Sequence, residues 1–307
     1  MPLGFSKAIL GQTAVGSVSA RAFTNDGVAN NTGNFTLNKA ATYTVSHSTS
    51  PFSDSAAFTA VMWVRIKQQG GNIDDPASRF MYLTDQDQSD FLGFVIGNGT
   101  NISYMNIFNS SGNKLSEPYG HTYTQNGDGS GGRDNPGFIT DLCDGAWHCL
   151  MISIDGANQT ATYYLDGSTQ NEADYTGGAL TGTINSDDFK YIMLRNNTGG
   201  HNTNYNSGSF ETGPDFHMGP IWLYDSYIDF TQSSNRAKFY NASNTDGYVD
   251  GGTDGTAGGA PTPKVYMYHT ASTLAVSSAQ TPTVNLIQHN SGAIVVKDDG
   301  PGSGGTI

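Results

Sequence analysis

Residues 143–167 read CDGAWHCLMISIDGANQTATYYLDG, and this stretch decides the fold. Two alternating runs, 147–154 and 160–166, flank Asp155-Gly156, and Asp166-Gly167 closes the second run. Asp-Gly between alternating runs predicts a hairpin, because glycine takes the positive φ of the turn without a Cβ clash. On the first strand Trp147, Cys149, Met151 and Ser153 share one face, and His148, Leu150, Ile152 and Ile154 share the other. Both faces are largely apolar, which predicts a strand covered on both sides, in the middle of a layered β structure.

Working outward, three segments carry a resemblance. Trp147-His148 with its hairpin to Asp166-Gly167, the upstream run FTAVMWVRI at 58–66, and the downstream run MGPIWLYD at 218–225 followed by a short polar helix over 233–240, stand in that order. Together they resemble laminin-G-like, concanavalin A-like jelly rolls. The resemblance implies an all-β, two-layer antiparallel sandwich over residues 52–241, with extra terminal strands and one short helix. Trp63, Trp147 and Trp222 are expected in the core, with the Trp147 indole sealed between the two layers. Residues 1–51 read as an N-terminal arm with outer strands, 242–263 as a glycine-rich linker, and 264–307 as short strands and a tail. Both ends are expected to reach neighbouring subunits.

Composition narrows the function. A net charge of −13 with no basic cluster argues against nucleic acid. No apolar run reaches the ~20 residues that cross a bilayer, so membrane insertion is not expected. The first ten residues, MPLGFSKAIL, lack the basic and apolar regions of an export signal. Glutamate occurs only at Glu117, Glu172 and Glu211, which disfavours long amphipathic helices. Cys143 and Cys149 read as buried thiols in a chain long enough to need no staple, with a disulfide the alternative if the turn brings them together.

Enzymatic readings are weak. Glucanases of this architecture carry Glu-x-Asp-x-x-Glu on one strand, whereas Glu172-Ala-Asp174 here lacks the second glutamate. No Gly-x-Ser-x-Gly elbow precedes a helix. Calcium at a loop rim is the one candidate cofactor. Asp85, Asp87 and Asp90 form one acidic cluster, and Asp128 and Asp134 lie in a second, whose twelfth position is Gly137 rather than a carboxylate. Asp246, Asp250 and Asp254 read as turn residues. The aromatic residues of two long loops, Tyr119, His121 and Tyr123 in one and His201, Tyr205 and Phe210 in the other, supply the side chains that stack on sugars or pin loops to a neighbour.

The opening decapeptide and the Asn-, Gly- and Thr-rich pattern resemble virion proteins of tailed bacteriophages that carry laminin-G-like domains. That resemblance implies a non-enzymatic structural and interaction protein of the particle, a capsid decoration or short spike subunit. Its partners would be copies of itself, other virion proteins and cell-surface glycans. A secreted or cell-surface carbohydrate-binding module is the alternative.

Overall fold

The computed structural model describes residues 22–25, 41–53, 55, 57–67, 78–84, 91–99, 102–108, 114–116, 144–155, 158, 160–169, 189–198, 215–269, 274–288, 294–297 and 301–302. The chain is all-β. Its strands are β1 (Ala22–Asn25), β2 (Ala41–Ser46), β3 (Ala57–Lys67), β4 (Ser78–Thr84), β5 (Phe91–Gly99), β6 (Ile102–Phe108), β7 (Lys114–Ser116), β8 (Asp144–Asp155), β9 (Thr160–Leu165), β10 (Ser168–Thr169), β11 (Tyr191–Thr198), β12 (Asp215–Tyr224), β13 (Val265–His269), β14 (Leu274–Ser278), β15 (Thr283–Gln288) and β16 (Ile294–Lys297). A helix α1 (Ser233–Arg236) follows β12. No helix of the described residues is long and apolar enough to cross a membrane.

Two antiparallel sheets form. The first runs β10-β9-β8-β3-β12-β1-β16, with β13 beside β12 and β14 beside β13, and the second runs β15-β2-β11-β4-β5-β6-β7. In the first sheet β1 and β13 share one edge of β12, β1 opposite Met218 and His217 and β13 opposite Ile221 to Leu223. The opposite edge of β12 shifts register against β3 between Met218 and Ile221. Pro220 has no N–H to give to a ladder, so this irregularity is where a proline fits. Gly219 is held there by crowding, because an added Cβ would sit 2.9 Å from Trp63 Cβ and from Pro301 Cδ.

Alternation and register make two rows across the centre of the first sheet. Tyr164, Met151, Val61, Trp222 and Tyr266 lie side by side on one face. Ile152, Ala60, Leu223 and Val265 lie side by side on the other, each at most 1% exposed. In the second sheet Val45, Ile192 and Leu83 are in register and fully buried, as is Met81. The second aliphatic row faces this apolar side, and the two layers form the sandwich.

The aromatic row corrects the expected place of Trp147. Its cluster holds Trp63, Trp147, Cys149, Met151 and Trp222 from the strands, with Ile228, Phe230, Phe239 and Tyr248 from the segment after β12. The indole is therefore sealed between the first sheet and a cap made by residues 225–263, not between the two sheets. The expected linker at 242–263 is part of that cap. Gly255, at φ +82°, lies so close to Trp222 and Pro263 that an added Cβ would meet each at 2.9 Å. Glycine here serves close approach to aromatic rings rather than flexibility. The short strands expected in 264–307 are β13, β15 and β16, and they pair with β12, β2 and β1 of the same chain. Strand β14, pairing β13, and β1 were not read from the sequence.

A buried hydroxyl network seats the cap. The Thr59 hydroxyl donates to Ser226 O (2.6 Å), the Ser153 hydroxyl lies 2.8 Å from Thr59 Oγ1, and the Ile228 N–H donates to Ser153 Oγ (2.9 Å) with a longer approach to Thr59 Oγ1 (3.2 Å). One arrangement of protons satisfies every group. Beyond it, Asp225 accepts from the Ser53 N–H (2.7 Å) and pairs with Lys264 (3.4 Å), tying the approach to β3 to the start of β13.

Candidate functional site

The rim residues Tyr119, His121, Tyr123, His201, Tyr205 and Phe210 lie outside the described residues. So do Asp85, Asp87, Asp90, Asp128 and Asp134. Among the described residues no three of His, Cys, Asp and Glu come together as a metal site. Asp250 and Asp254 instead accept from backbone N–H groups two residues on, Gly252 (2.8 Å) and Thr256 (3.0 Å), and Asp246 accepts from Gly302 (2.9 Å). These carboxylates turn the chain and tie it down, the role Asp takes in such loops.

His148 and Asp166 form the one histidine–carboxylate pair given by the described residues, with Nδ1 2.6 Å from Oδ2. The other carboxylate oxygen accepts from the Cys149 N–H (2.8 Å), and the Asp166 N–H donates to Cys149 O (3.0 Å). Asp166 sits at φ +50°, where the chain leaves β9, so its side chain supplies the acceptor that the departing backbone no longer offers. A thiol–imidazole dyad does not arise. The Cys149 thiol lies on the opposite face of β8 against Phe239 O, unbridged, and burial pushes its pKa well above the usual thiol value, with Asp166 adding to the shift. A protonated, enclosed thiol is inert. The arrangement closes a hairpin.

A slot lies where the cap meets β12. Trp63, Pro220, Trp222, Phe239, Tyr248 and Tyr266 line it, with a free volume of about 30 Å³ and an opening to solvent on one side. The strand register puts Trp222 beside Tyr266, while the turn after Asp250 brings Gly251 against the Tyr266 ring, where an added Cβ would stand 2.7 Å from the hydroxyl. The Tyr248 hydroxyl bonds to Tyr266 and to Asp250, and burial raises both phenols far above the usual tyrosine range, so both remain protonated. Trp63, Trp147 and Trp222 are each 3% exposed. Trp222 Nε1 has no hydrogen-bond partner among the described residues. The sequence reading missed this slot. Its signal was the set of tyrosines at 240, 248, 266 and 268 bracketing a glycine run, which marks glycine backbone lying on rings.

No protein family and no curated sequence matches the chain. Solved structures do resemble it. Mouse laminin α1 domains LG4-5 superpose with TM-score 0.37 at 15% identity, over 76% of this chain and 49% of that one, so the chain spans about half of the laminin fragment. The heptameric SAP-like pentraxin of Limulus polyphemus gives 0.41 at 9% identity, over 88% of this chain and 95% of that one. A Bacteroides ovatus protein described by name as carbohydrate-binding gives 0.42 at 10%, over 91% and 60%. At these identities and scores the likenesses carry no functional argument, and the fold rests on the strand registers above.

Proposed function

We propose that the chain is a non-enzymatic, lectin-like recognition module that attaches to glycans, and that it does so on a tailed-bacteriophage particle beside copies of itself and other virion proteins. The observation that carries the reading is the closure of the first sheet. Its outward face is filled with Trp, Tyr, Phe and Met beneath the cap, where a glycoside hydrolase of this architecture needs an open groove with paired carboxylates. Recognition then falls to the second sheet and the rim segments. On the second sheet Thr283 pairs with Ser46, the neighbour of buried Val45, so these two residues stand on the face opposite the buried row. At one end of that face Thr283 is exposed and Ser46 half-buried. Amide, hydroxyl and aromatic residues are the types that hydrogen-bond and stack on sugars.

The particle location is supported by the resemblance of the opening decapeptide and of the Asn/Gly/Thr-rich pattern to virion proteins. A glycan array probed with the intact chain is expected to show reproducible binding without release of reducing ends. Hydrolysis of a bound polysaccharide, or no binding to any glycan, would overturn the reading. Mass spectrometry of purified particles is expected to find the chain. Its presence only in medium free of particles would replace the particle location by the secreted alternative.

A further inference from the structure

We infer that a second copy of this chain docks along β14, the two β14 strands pairing antiparallel about a two-fold axis at Val276 so that the first sheets of both copies become one; this gives a surface to the self-contact in the reading above and rests on that part of it. A strand edge offers a row of backbone N–H and C=O groups to any other chain, and proteins blunt it by shortness, charge, proline or a bulge. Among the described residues three sheet edges are blunted in these ways and two are not. Strand β10 has two residues, β16 ends in Lys297, and β7 has three residues, carries Lys114 and shifts register against β6. Strands β14 and β15, of five and six residues, carry neither charge nor proline, and each pairs without a register shift with one neighbour, β13 and β2. Residues 279–282 join them, so the two open edges lie on one side of the sandwich.

Charge identifies the occupant as a copy of the same chain. Lys264 and Lys297 bracket the longest run of the sequence without Asp, Glu, Lys or Arg, and that run forms β13, β14 and β15. Molecules of net charge −13 repel one another. Here two of them meet with no like charges opposed. Register fixes what touches what. Val276 stands opposite Met267 and Ser277 opposite Tyr266, so Val276 is on the face turned to the second sheet, and Ala275 and Ser277 are on the capped face. Opposite residues of a ladder share a face, so overlap of the whole strand brings Val276 against its own copy, Ala275 against Ser277 and Leu274 against Ser278. Ala275, Val276 and Ser277 are half-buried. The pairing covers the apolar surface that Val276 leaves open, and the small side chains beside it let the backbones close.

Analytical ultracentrifugation of the full chain over a concentration series is expected to give twice the 32.5 kDa of one copy. Val276→Lys sets two ammonium groups against each other on the axis and is expected to weaken the dimer about tenfold or more, with the tryptophan fluorescence of the folded chain kept. In a Cys143→Ser background, Val276→Cys is expected to yield a disulfide-linked dimer on mild oxidation, since residues opposite in a ladder lie within disulfide reach. Thr253→Cys, exposed on the cap, is expected to stay unlinked. If Val276→Lys fails to fold, the cross-link still decides. A monomer at every concentration, a trimer, a folded Val276→Lys chain that stays dimeric, or Val276→Cys linking no better than Thr253→Cys overturns the inference. A dimer with these properties that binds no glycan spares it and sinks the glycan reading, and a monomer that binds glycan does the reverse.

Discussion

Replacing Thr59 by valine keeps the shape of the side chain and removes the hydroxyl on which the cap is seated. Ser226 O then loses its donor and the Ser153 hydroxyl loses its acceptor, while the Ile228 N–H keeps Ser153 Oγ at 2.9 Å. Thr59 and Ser153 are fully buried, so water cannot pair the stranded Ser153 hydroxyl, whereas Ser226 is half-buried. Leaving a buried polar group unsatisfied costs about 1–3 kcal/mol. Ser153→Ala is the control: Thr59 still donates to Ser226 O, and the Ile228 N–H still has Thr59 Oγ1 at 3.2 Å. That change should cost about 0.5–1 kcal/mol, a net hydrogen bond with no orphan. The double variant exchanges the stranded Ser153 hydroxyl for a stranded Ile228 N–H, so its cost should stay near that of Thr59→Val alone, below the sum of the two single changes. Urea unfolding followed by tryptophan fluorescence measures all three, since Trp63, Trp147 and Trp222 lie in the cluster beneath the cap. Equal costs for the two single variants, or strict additivity in the double, would refute the proton arrangement and with it the account of how the cap is held.

Trp147→Ala is expected to cost about 3–5 kcal/mol and to unfold the domain, because it empties a buried site under the Arg65 guanidinium, 5.1 Å from the ring; a normal melting curve would contradict this. Gly247→Ala combines a φ of +73° with a Cβ driven into the Tyr240 ring, so it should lower stability by about 1–3 kcal/mol in urea titrations. In a Cys143→Ser variant, Cys149 is expected to stay unmodified by Ellman's reagent until the protein is unfolded, because burial holds the thiol protonated. His47 is 5% exposed and burial depresses its pKa below 6.5. The unfolded chain therefore binds the proton first, and the His47 contribution to stability is full above pH 6.5 and declines as pH falls toward the folded-state value. Unfolding curves at pH 7.5 and 5.5 should differ less in His47→Phe than in the unmutated chain.

The central strands were legible because burial on two faces leaves a mark in the residues. The expected runs 58–66 and 147–154 lie inside β3 and β8, and the two faces assigned to the latter are the faces observed. Two features escaped for physical reasons. The cap packs through glycine approach and carboxylate-closed turns, so the segment from Asp246 to Pro263 shows no apolar period and reads as a linker. Strand β14 is an edge strand of small residues, Leu-Ala-Val-Ser-Ser, with mostly half-buried positions and too weak an alternation to register. The Trp147 face was read correctly, but the layer covering it was not, since a second sheet and an irregular cap demand the same apolar residues. The aromatic rim residues and the acidic clusters remain candidates from sequence, while the slot emerged only from the pairing of β12 with β13.

The pairing of β1 with both β12 and β16 has a consequence for biosynthesis. Residues near position 23 must wait for partners near positions 218 and 296. A ribosome making this chain has emitted almost all of it before the layer beneath the cap can be completed, and such distant pairings make for slow folding. Truncation from the carboxyl end should therefore strip β1 of its neighbour rather than trim a dispensable tail, and nascent chains stalled before position 290 should remain sensitive to protease at the amino end.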